Sequence, residues 1–328
     1  MKDLAIIILN WNGSTDTIEC IRSINKAKMN MGYTIFLYDN DSDKASLDEL
    51  EEFVELQDSI IVNSKEFVNL DKIYNQKVVL VKGNENIGFA CANNCVMRTI
   101  KKHYRYFFLL NNDTIVELNS IITMFDYLNR NLEVDALTCR INYYNPSMKL
   151  WNAGGKFTWY GDRKYYLENE IKGKEVLQCE FVTGCALMIK SDVMEQIGYF
   201  SEKFFFGEED FNLCKRMKIN KNCIRVLPNT IIYHKVNSSI DKLSSSYVNK
   251  VIVHYLNRII DQRELMDNQL KWNIWRIVYL GALLIKCICW KIDLKNIRYI
   301  IHSLIKYSKS FEKVGKKEFQ YIMQGGIK

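Results

Sequence analysis

The 328-residue chain has only two prolines, which excludes a Pro-rich linker. Its ten cysteines contain no Cys-x-x-Cys pair and do not cluster with histidines, which removes the usual zinc arrangements. There is no Walker sequence and no Gly-x-Gly-x-x-Gly fingerprint, so neither a P-loop nor a dinucleotide fold has support. Internal repeats and low-complexity tracts are also missing, and Met1-Lys2-Asp3 runs straight into a strand pattern without a leader-like segment. Many of the cysteines lie inside apolar segments, where Cys acts as a small hydrophobe. These features together predict a reduced, cytoplasmic protein.

Length allows one large domain with an appendage, or two domains. The net charge of +7 is uneven. Residues 241–328 hold 16 Lys+Arg against 7 Asp+Glu, whereas the first 240 hold 29 against 31, so the basic character belongs to the C-terminal quarter.

Short apolar runs alternate with helical patterns over the first 110 residues. Leu4–Leu9, Thr34–Tyr38, Val78–Lys82 and Tyr106–Leu110 read as buried parallel strands, separated by helical stretches at Thr15–Ala27, Leu47–Leu56 and Ala90–His103. This alternation predicts an α/β fold with a mainly parallel sheet and right-handed crossovers. Each run ends in polar residues: Asn10-Trp11-Asn12-Gly13, Asp39-Asn40-Asp41-Ser42, the Gly83–Gly88 loop and Asn111-Asn112-Asp113-Thr114. Open sheets of this class bind ligands at the carboxyl ends of their strands. Past about residue 140 the alternation stops. Phe181–Ile189 reads as a strand, Asp192–Ile197 and Glu209–Ile219 as helices, and Ile224–Leu227 and Thr230–Tyr233 as two short strands.

Asp113 is the sharpest single candidate. Its carboxylate can hold Mg2+ or Mn2+ against a diphosphate. Equally, it can cap a helix starting near Thr114–Leu118. Asp39 can accept a hydrogen bond from a pyrimidine ring N–H, or shape a turn. Asn10 and Asn12 can form a base pocket or a strand-to-helix turn. Phe204-Phe205-Phe206-Gly207-Glu208-Glu209-Asp210 is a second apolar run ending in acid. There Asp210 or Glu209 can take a proton from an acceptor hydroxyl, while acids opening a helix also suit its dipole. His234 closes a strand as a metal ligand or as a structural histidine.

Together these residues resemble glycosyltransferase family 2, in particular its bacterial rhamnosyltransferase-like branch with the GT-A fold. The likeness rests on Asn10-Trp11-Asn12, Tyr38–Ser42, Asn86-Ile87-Gly88-Phe89-Ala90-Cys91-Ala92-Asn93-Asn94 and Leu109–Thr114. It continues through Gly154-Gly155, Gly184–Lys190, Phe204-Phe205, Glu209–Arg216 and His234, covering roughly residues 4–240. The resemblance implies inverting transfer from a nucleotide-diphospho-sugar, dTDP-rhamnose or a UDP-hexose, to a saccharide acceptor, lipid-linked, in cell-surface polysaccharide synthesis. It implies Asp39 at the base, with Asn10, Asn12, Asn86, Gly88, Asn94, Asn111 and Asn112 around the donor. Asp113 and His234 would lie at the metal and diphosphate, and Asp210 would be the base. Two positions depart from the pattern: Asn111 opens the metal motif where Asp is usual, and Asn212 replaces an Asp two residues after the base.

The division expected is a GT-A domain at 1–240 and a helical basic extension at 241–328, the tail starting near Ser245. Trp272–Trp290 is the most apolar window, interrupted by Arg276 and Lys286. Spanning needs about 20 mostly apolar residues. The interruptions favour a helix lying on an anionic membrane, so that the protein is peripheral on the inner face of the cytoplasmic membrane. Helices packed on the main domain, or a homodimer contact, are the other readings. Two further functions are weighed. One is an inactive sugar-nucleotide-binding scaffold, against which Asp113 and Asp210 are both present. The other is a nucleic-acid binder, but the tail interleaves its charges with apolar runs such as Ile277–Ile285, so no nucleic-acid partner is expected.

Overall fold

The computed structural model describes residues 2–68, 73, 76–146, 148–236, 247–266 and 268–326. In chain order its elements are β1 (Lys2–Asn10), α1 (Ser14–Lys26), β2 (Tyr33–Asp39), α2 (Lys44–Glu55), β3 (Ser59–Asn63), β4 (Val78–Lys82), α3 (Gly88–Ile100) and β5 (Tyr104–Asn111). There follow β6 (Thr114–Val116), α4 (Ser120–Arg130), β7 (Ala136–Tyr143), β8 (Leu150–Asn152), β9 (Gly155–Phe157), β10 (Arg163–Tyr165), α5 (Glu168–Ile171), β11 (Leu177–Cys179) and β12 (Ala186–Lys190). The chain continues through α6 (Ser191–Ile197), α7 (Glu209–Ile219), β13 (Ile224–His234), α8 (Tyr247–Leu265), α9 (Gln269–Cys289), α10 (Leu294–Ser310) and α11 (Lys316–Met323).

Among the described residues one sheet runs β11-β13-β7-β12-β5-β1-β2-β4-β3, with β6 added to β13 and β8 to β7. Its centre is α/β in the sense the apolar runs predict. Successive strand side chains point to opposite faces. Ala5 and Ile7 join Phe107, Leu109 and the α3 residues Ala92 and Val96 on one face, while Leu4, Ile6 and Ile8 join Ile18 and Ile21 of α1 and Met124 of α4 on the other. Strands buried on both faces need apolar residues at every position, hence the unbroken runs.

The register decides where the polar ends go. β1 is parallel to β2 and to β5, and β2 is parallel to β4, so Asn10, Asp39, Lys82 and Asn111 finish on one edge. β12 runs antiparallel to β5, and the Asn111 N–H donates to the Cys185 carbonyl at 2.9 Å, which brings Gly184 and Cys185 to the same edge. β6 pairs with β13 and sets His234 opposite Thr114.

Four segments differ from expectation. Thr114–Val116 is a strand against β13, and the following helix starts at Ser120, so the helix-cap reading of Asp113 fails. The two short strands near 224–233 are one strand, β13, whose register shifts between Leu227 and Ile231. Pro228 lies in that gap, and a residue without an N–H belongs at a bulge. Finally, β3 and β7 belong to the sheet, though neither carries a run that stands out in the sequence.

Helices α8–α11 enclose a third buried cluster that includes Phe204 and Val314. The Phe205 N–H donates to the Val314 carbonyl at 2.8 Å, and the Val314 N–H to the Lys203 carbonyl at 2.9 Å. Packing on the main body, one of the weighed readings, describes α8, α11 and one face of α9, while α10 packs on α8 and α9. The expected boundary at 240/241 and tail start at Ser245 lie outside the described residues. All ten cysteines are free.

Candidate active site

Asn10, Asp39 and Ser42 form a knot of hydrogen bonds between β1 and β2. Asn10 is buried and donates to Asp39 Oδ1 at 2.7 Å, while its Oδ1 accepts from Gly13 N–H and Thr17 Oγ1. Ser42 donates to Asp39 from its hydroxyl at 2.6 Å and from its N–H at 3.0 Å. A carboxylate offers about four lone-pair sites, and these three bonds leave one for an incoming donor such as an imide N–H. Asn12, in the left-handed region at φ 52°, holds the next turn by accepting from Asp43 N–H. Asn112 donates to Thr17 Oγ1 at 2.9 Å and thereby joins β5 to the knot.

Asn86 and Gly88 lie on the neighbouring loop, joined to the knot through Asn40, whose amide bonds Asn86 Oδ1 at 3.1 Å. Gly88 sits at φ 83°, and a Cβ there would come within 2.5 Å of the Phe205 carbonyl oxygen. Only glycine allows that approach, so this residue presses the start of α3 against the segment leading to Asp210. Asn94 stands apart from the donor residues. It is fully buried, with its amide donating to Phe200 O and Glu202 Oε1 and its oxygen accepting from Phe200 N–H. Its work is to lock α3 to the 200–202 turn.

Asp113 and His234 meet at the far side of the edge. His234 Nε2 is 3.0 Å from Asp113 Oδ1 and 3.5 Å from the Asn111 amide nitrogen, and both Asp113 and His234 are buried. Trp151 packs edge-on against the imidazole at 4.4 Å between centroids. Among the described residues no three His, Cys, Asp or Glu side chains form a cage. A pair is nevertheless compatible with a cation whose remaining ligands come from a diphosphate and water. Two adjacent ligands of a six-coordinate cation, each about 2.1 Å from it, lie about 3 Å apart. The Asp113–His234 spacing fits.

The acids opening α7 are built differently. Gly207 and Glu208 both adopt positive φ, 81° and 83°. A non-glycine residue there is strained by roughly 1–3 kcal/mol, a feature that concentrates at functional sites. The turn buries Glu208 against Arg163, with Lys215 Nζ at 3.5 Å and Arg258 Nε at 4.0 Å. Burial alone would raise its carboxyl, but the three cations outweigh burial and hold it at about 2. Glu209 is pushed the other way, first by burial and then by Asp210 and Glu208. Its Oε2 is buried without a hydrogen-bond partner. Asp210 is also raised, mainly by burial, against the pull of Arg163. It is less enclosed than Glu209, and accepts from Gly184 N–H at 3.2 Å and Phe211 N–H at 2.8 Å. Of two adjacent raised carboxyls, the more exposed and better hydrogen-bonded one ionises first. Asp210 is therefore the member poised to accept a proton, and its bond to Gly184 fixes it beside the β5/β12 edge that carries Asp113.

Sequence reasoning assigned no role to Glu208, Arg163 or Arg258. Glu208 adjoins the flagged acids, yet its partners are 45 and 50 residues away, a distance no local pattern reports. Asn212 also finds its reason here: its amide donates to Asp261 of α8 at 2.5 Å, where an Asp would face a second carboxylate.

No family model matches the sequence, and no curated protein was found to match it. Solved structures match in fold. One is GalNAc-T7 with UDP, GalNAc and Mn2+, with a TM-score of 0.57 and 15% identity over 80% of this chain and 51% of that one. The chain thus spans about half the length of GalNAc-T7. Another is the mannosyltransferase PcManGT from Pyrobaculum calidifontis in complex with GDP-Man and Mn2+, with a TM-score of 0.55 and 11% identity over 94% of this chain and 87% of that one. The chain has the GT-A fold. Its helical C-terminal part is carried on that GT-A body.

Proposed function

We propose that this GT-A chain is a metal-dependent, inverting glycosyltransferase, moving a sugar from a nucleotide-diphospho-sugar to a saccharide acceptor. One observation carries the reading: the Asp113–His234 pair and the raised Asp210 carboxyl stand on one sheet edge, linked by β5, β12 and Gly184. Asp39 receives the nucleotide base and Asn10 and Ser42 hold it in place. Asp113 and His234 would hold Mg2+ or Mn2+, which neutralises the leaving diphosphate when bound. Asp210 takes the proton of the acceptor hydroxyl as that oxygen attacks the anomeric carbon. Inversion is favoured because Glu208 is committed to its cations and Glu209 is enclosed, which leaves one base and suits a single displacement. Among the described residues, dinucleotide or nucleic-acid binding has no comparable site. The test is nucleotide release with dTDP-rhamnose, UDP-galactose, UDP-glucose, UDP-N-acetylglucosamine and GDP-mannose. Release from none of them, with no Mn2+-dependent binding of UDP or GDP, sinks the reading and leaves a scaffold.

The reading extends to location. Helix α9 packs one face on α8 and α10 and leaves Ile277, Ile285 and Ile288 exposed by 68%, 64% and 58%. Residues 269–310 carry eight Lys and Arg against one acid, Asp293. α9 is long and apolar enough to span a bilayer by length and composition, but its Lys286 pairs with Asp162 and its buried Arg276 lies over Trp272. We place α9 flat on an anionic membrane, apolar stripe inward. Because α8–α11 brace the 203–207 segment, deleting them is a poor test. Ile277→Glu with Ile285→Glu should instead abolish co-sedimentation with phosphatidylglycerol vesicles. Unchanged co-sedimentation, or a dimer that the pair of substitutions splits, favours a subunit contact.

A further inference from the structure

The turn that presents Asp210 is strained, and helix α8 holds the strain in place. Gly207 and Glu208 take left-handed φ, a conformation that persists in a non-glycine residue only where its surroundings fix it. The fixing groups come from one face of α8. Asn257 donates its amide to the Phe206 and Gly207 carbonyls, at 3.0 Å each. Arg258 Nε lies 4.0 Å from Glu208 Oε2. Asp261, one turn beyond Asn257, accepts from the Asn212 amide at 2.5 Å and pairs with Lys215. Residues three and four apart share a helix face, so all three reach the same turn.

These are costly groups to bury. Asn257 and Asp261 are 2% and 0% exposed, among Ile252, Leu256, Ile259 and Ile260 of the third core cluster. Burial raises the Asp261 carboxyl, and Lys215 and Asn212 pull against that rise. Apolar side chains in place of a buried ion pair are often neutral or stabilising, so stability alone does not account for Asp261. Geometry does. Asn212 and Lys215 are three apart and leave α7 on one side, while Phe211, Cys214 and Met217 enter the core on another. Two contacts converging on Asp261 therefore fix the rotation of α7 about its axis. Asp210 stands two residues before Asn212, and its bond to Gly184 N–H, at 3.2 Å, is at the long end for a hydrogen bond. A small rotation of α7 breaks that bond and turns the carboxylate off the β5/β12 edge.

We propose that Asp261, with Asn257 beside it, is a positioning residue for the base: through Asn212, Lys215 and the carbonyls of Phe206 and Gly207, α8 keeps the turn and α7 oriented so that Asp210 faces the acceptor hydroxyl. Asp261 itself touches no reacting group. This rests on the glycosyl-transfer reading for the role of Asp210, and on the α8 contacts alone for how that residue is held.

The test swaps the acid and the amide in the full-length protein. Asp261→Asn takes the carboxylate away from Lys215, and Asn212→Asp sets two carboxylates together. Each alone should lower turnover about ten-fold or more, since misplacing a reacting group by about 1 Å can cost on the order of 100-fold. Mn2+-dependent binding of UDP or GDP should stay within about two-fold in both, because the donor side is untouched. Asn212→Asp combined with Asp261→Asn again sets one acid against one amide, and turnover should return to within about three-fold of wild type. Amide hydrogen exchange reads the same clamp without turnover: residues 212–215 should exchange about ten-fold faster in each single variant and recover in the combined one. Thermal melts identify a single variant that fails to fold. The combined variant is then compared with Asn212→Ala, which it should exceed about ten-fold in turnover. Wild-type turnover and exchange in Asp261→Asn, or a combined variant no better than the worse single one, overturns the proposal. So does a loss of turnover that donor affinity follows, which would mean general loosening. A wild type that releases nucleotide from no donor condemns the glycosyl-transfer reading instead, and hydrogen exchange then decides whether Asp261 holds α7.

Discussion

Two acidic clusters stand on one edge of the sheet, and they are built in opposite ways. Asp113, between β5 and β6, meets His234 at the end of the long strand β13, with the Asn111 amide beside the imidazole. Glu208, Glu209 and Asp210 crowd into one turn, held by Arg163, Lys215 and Arg258. The first sets a carboxylate and an imidazole 3.0 Å apart, a ligand spacing that suits a cation arriving with a diphosphate. The second holds Glu208 ionised among three cations, while burial above all raises the other two, which suits proton transfer. The distinction is one of surroundings, since both use ordinary carboxylates.

The largest effect should come from the Asp113–His234 pair. Asp113→Ala should abolish Mn2+-dependent binding of UDP or GDP by calorimetry, with the melting temperature nearly unchanged. Undiminished binding would dissolve the contrast, because Asp113 would then be structural. Next is Asp210→Asn. Base catalysis contributes about 10²–10⁴-fold, and turnover should fall by that much while the donor dissociation constant moves less than two-fold. A near-normal rate, beside an inactive Glu209→Gln, would transfer the base role to Glu209.

Glu208→Gln probes the compensation itself. Removing one partner of a buried ion network typically costs about 3–5 kcal/mol, because the remaining charges stay buried. Urea unfolding at pH 7 should show a loss of that order. The carboxyl of Glu208 is depressed in the folded state, so its contribution is present above about pH 4.3 and is lost as pH falls toward about 2. Wild type and variant should thus converge in acid. A constant difference across that range would assign the loss to packing.

The β1, β2 and β5 side of this contrast was legible in the sequence and the α7 side much less so. β1, β2, β4 and β5 are unbroken apolar runs because they are covered on both faces, and their polar ends mark the edge directly. α7 was bounded correctly at Glu209–Ile219 by its acids and apolar spacing. β13 was split by Pro228, whose bulge only the neighbouring strand explains. The cations around Glu208 come from β10, α7 and α8, and a solvated surface lysine reads the same as one turned inward. Likewise the +9 of the last 88 residues hid the fact that Arg258 and Arg276 are buried. Asn94 sat in a donor-like motif but serves the α3 lock, since sequence spacing does not record which way an amide points.

Glu209→Gln gives the smallest effect and the finest test of the crowded cluster. Glu209 is raised by burial and by its acidic neighbours, so the folded protein keeps a proton that the unfolded chain releases above about pH 4.3. A raised folded value contributes stability below the unfolded value and loses it as pH rises through the folded one. Wild-type stability should therefore decline from about pH 4.3 upward until Glu209 ionises, at roughly 1.4 kcal/mol for each unit of displacement. Glutamine keeps the shape of the protonated acid and cannot ionise. Its melting temperature should match the wild type near pH 4, exceed it by a few degrees at pH 9, and diverge steadily between. The same variant should leave the pH at which turnover rises nearly unchanged, because Asp210 ionises beside a neutral neighbour in either case. Parallel melting curves over that range would show that Glu209 is charged throughout. In that case Asp210 would not be the first of the pair to ionise, and the argument for it as base would rest on exposure alone.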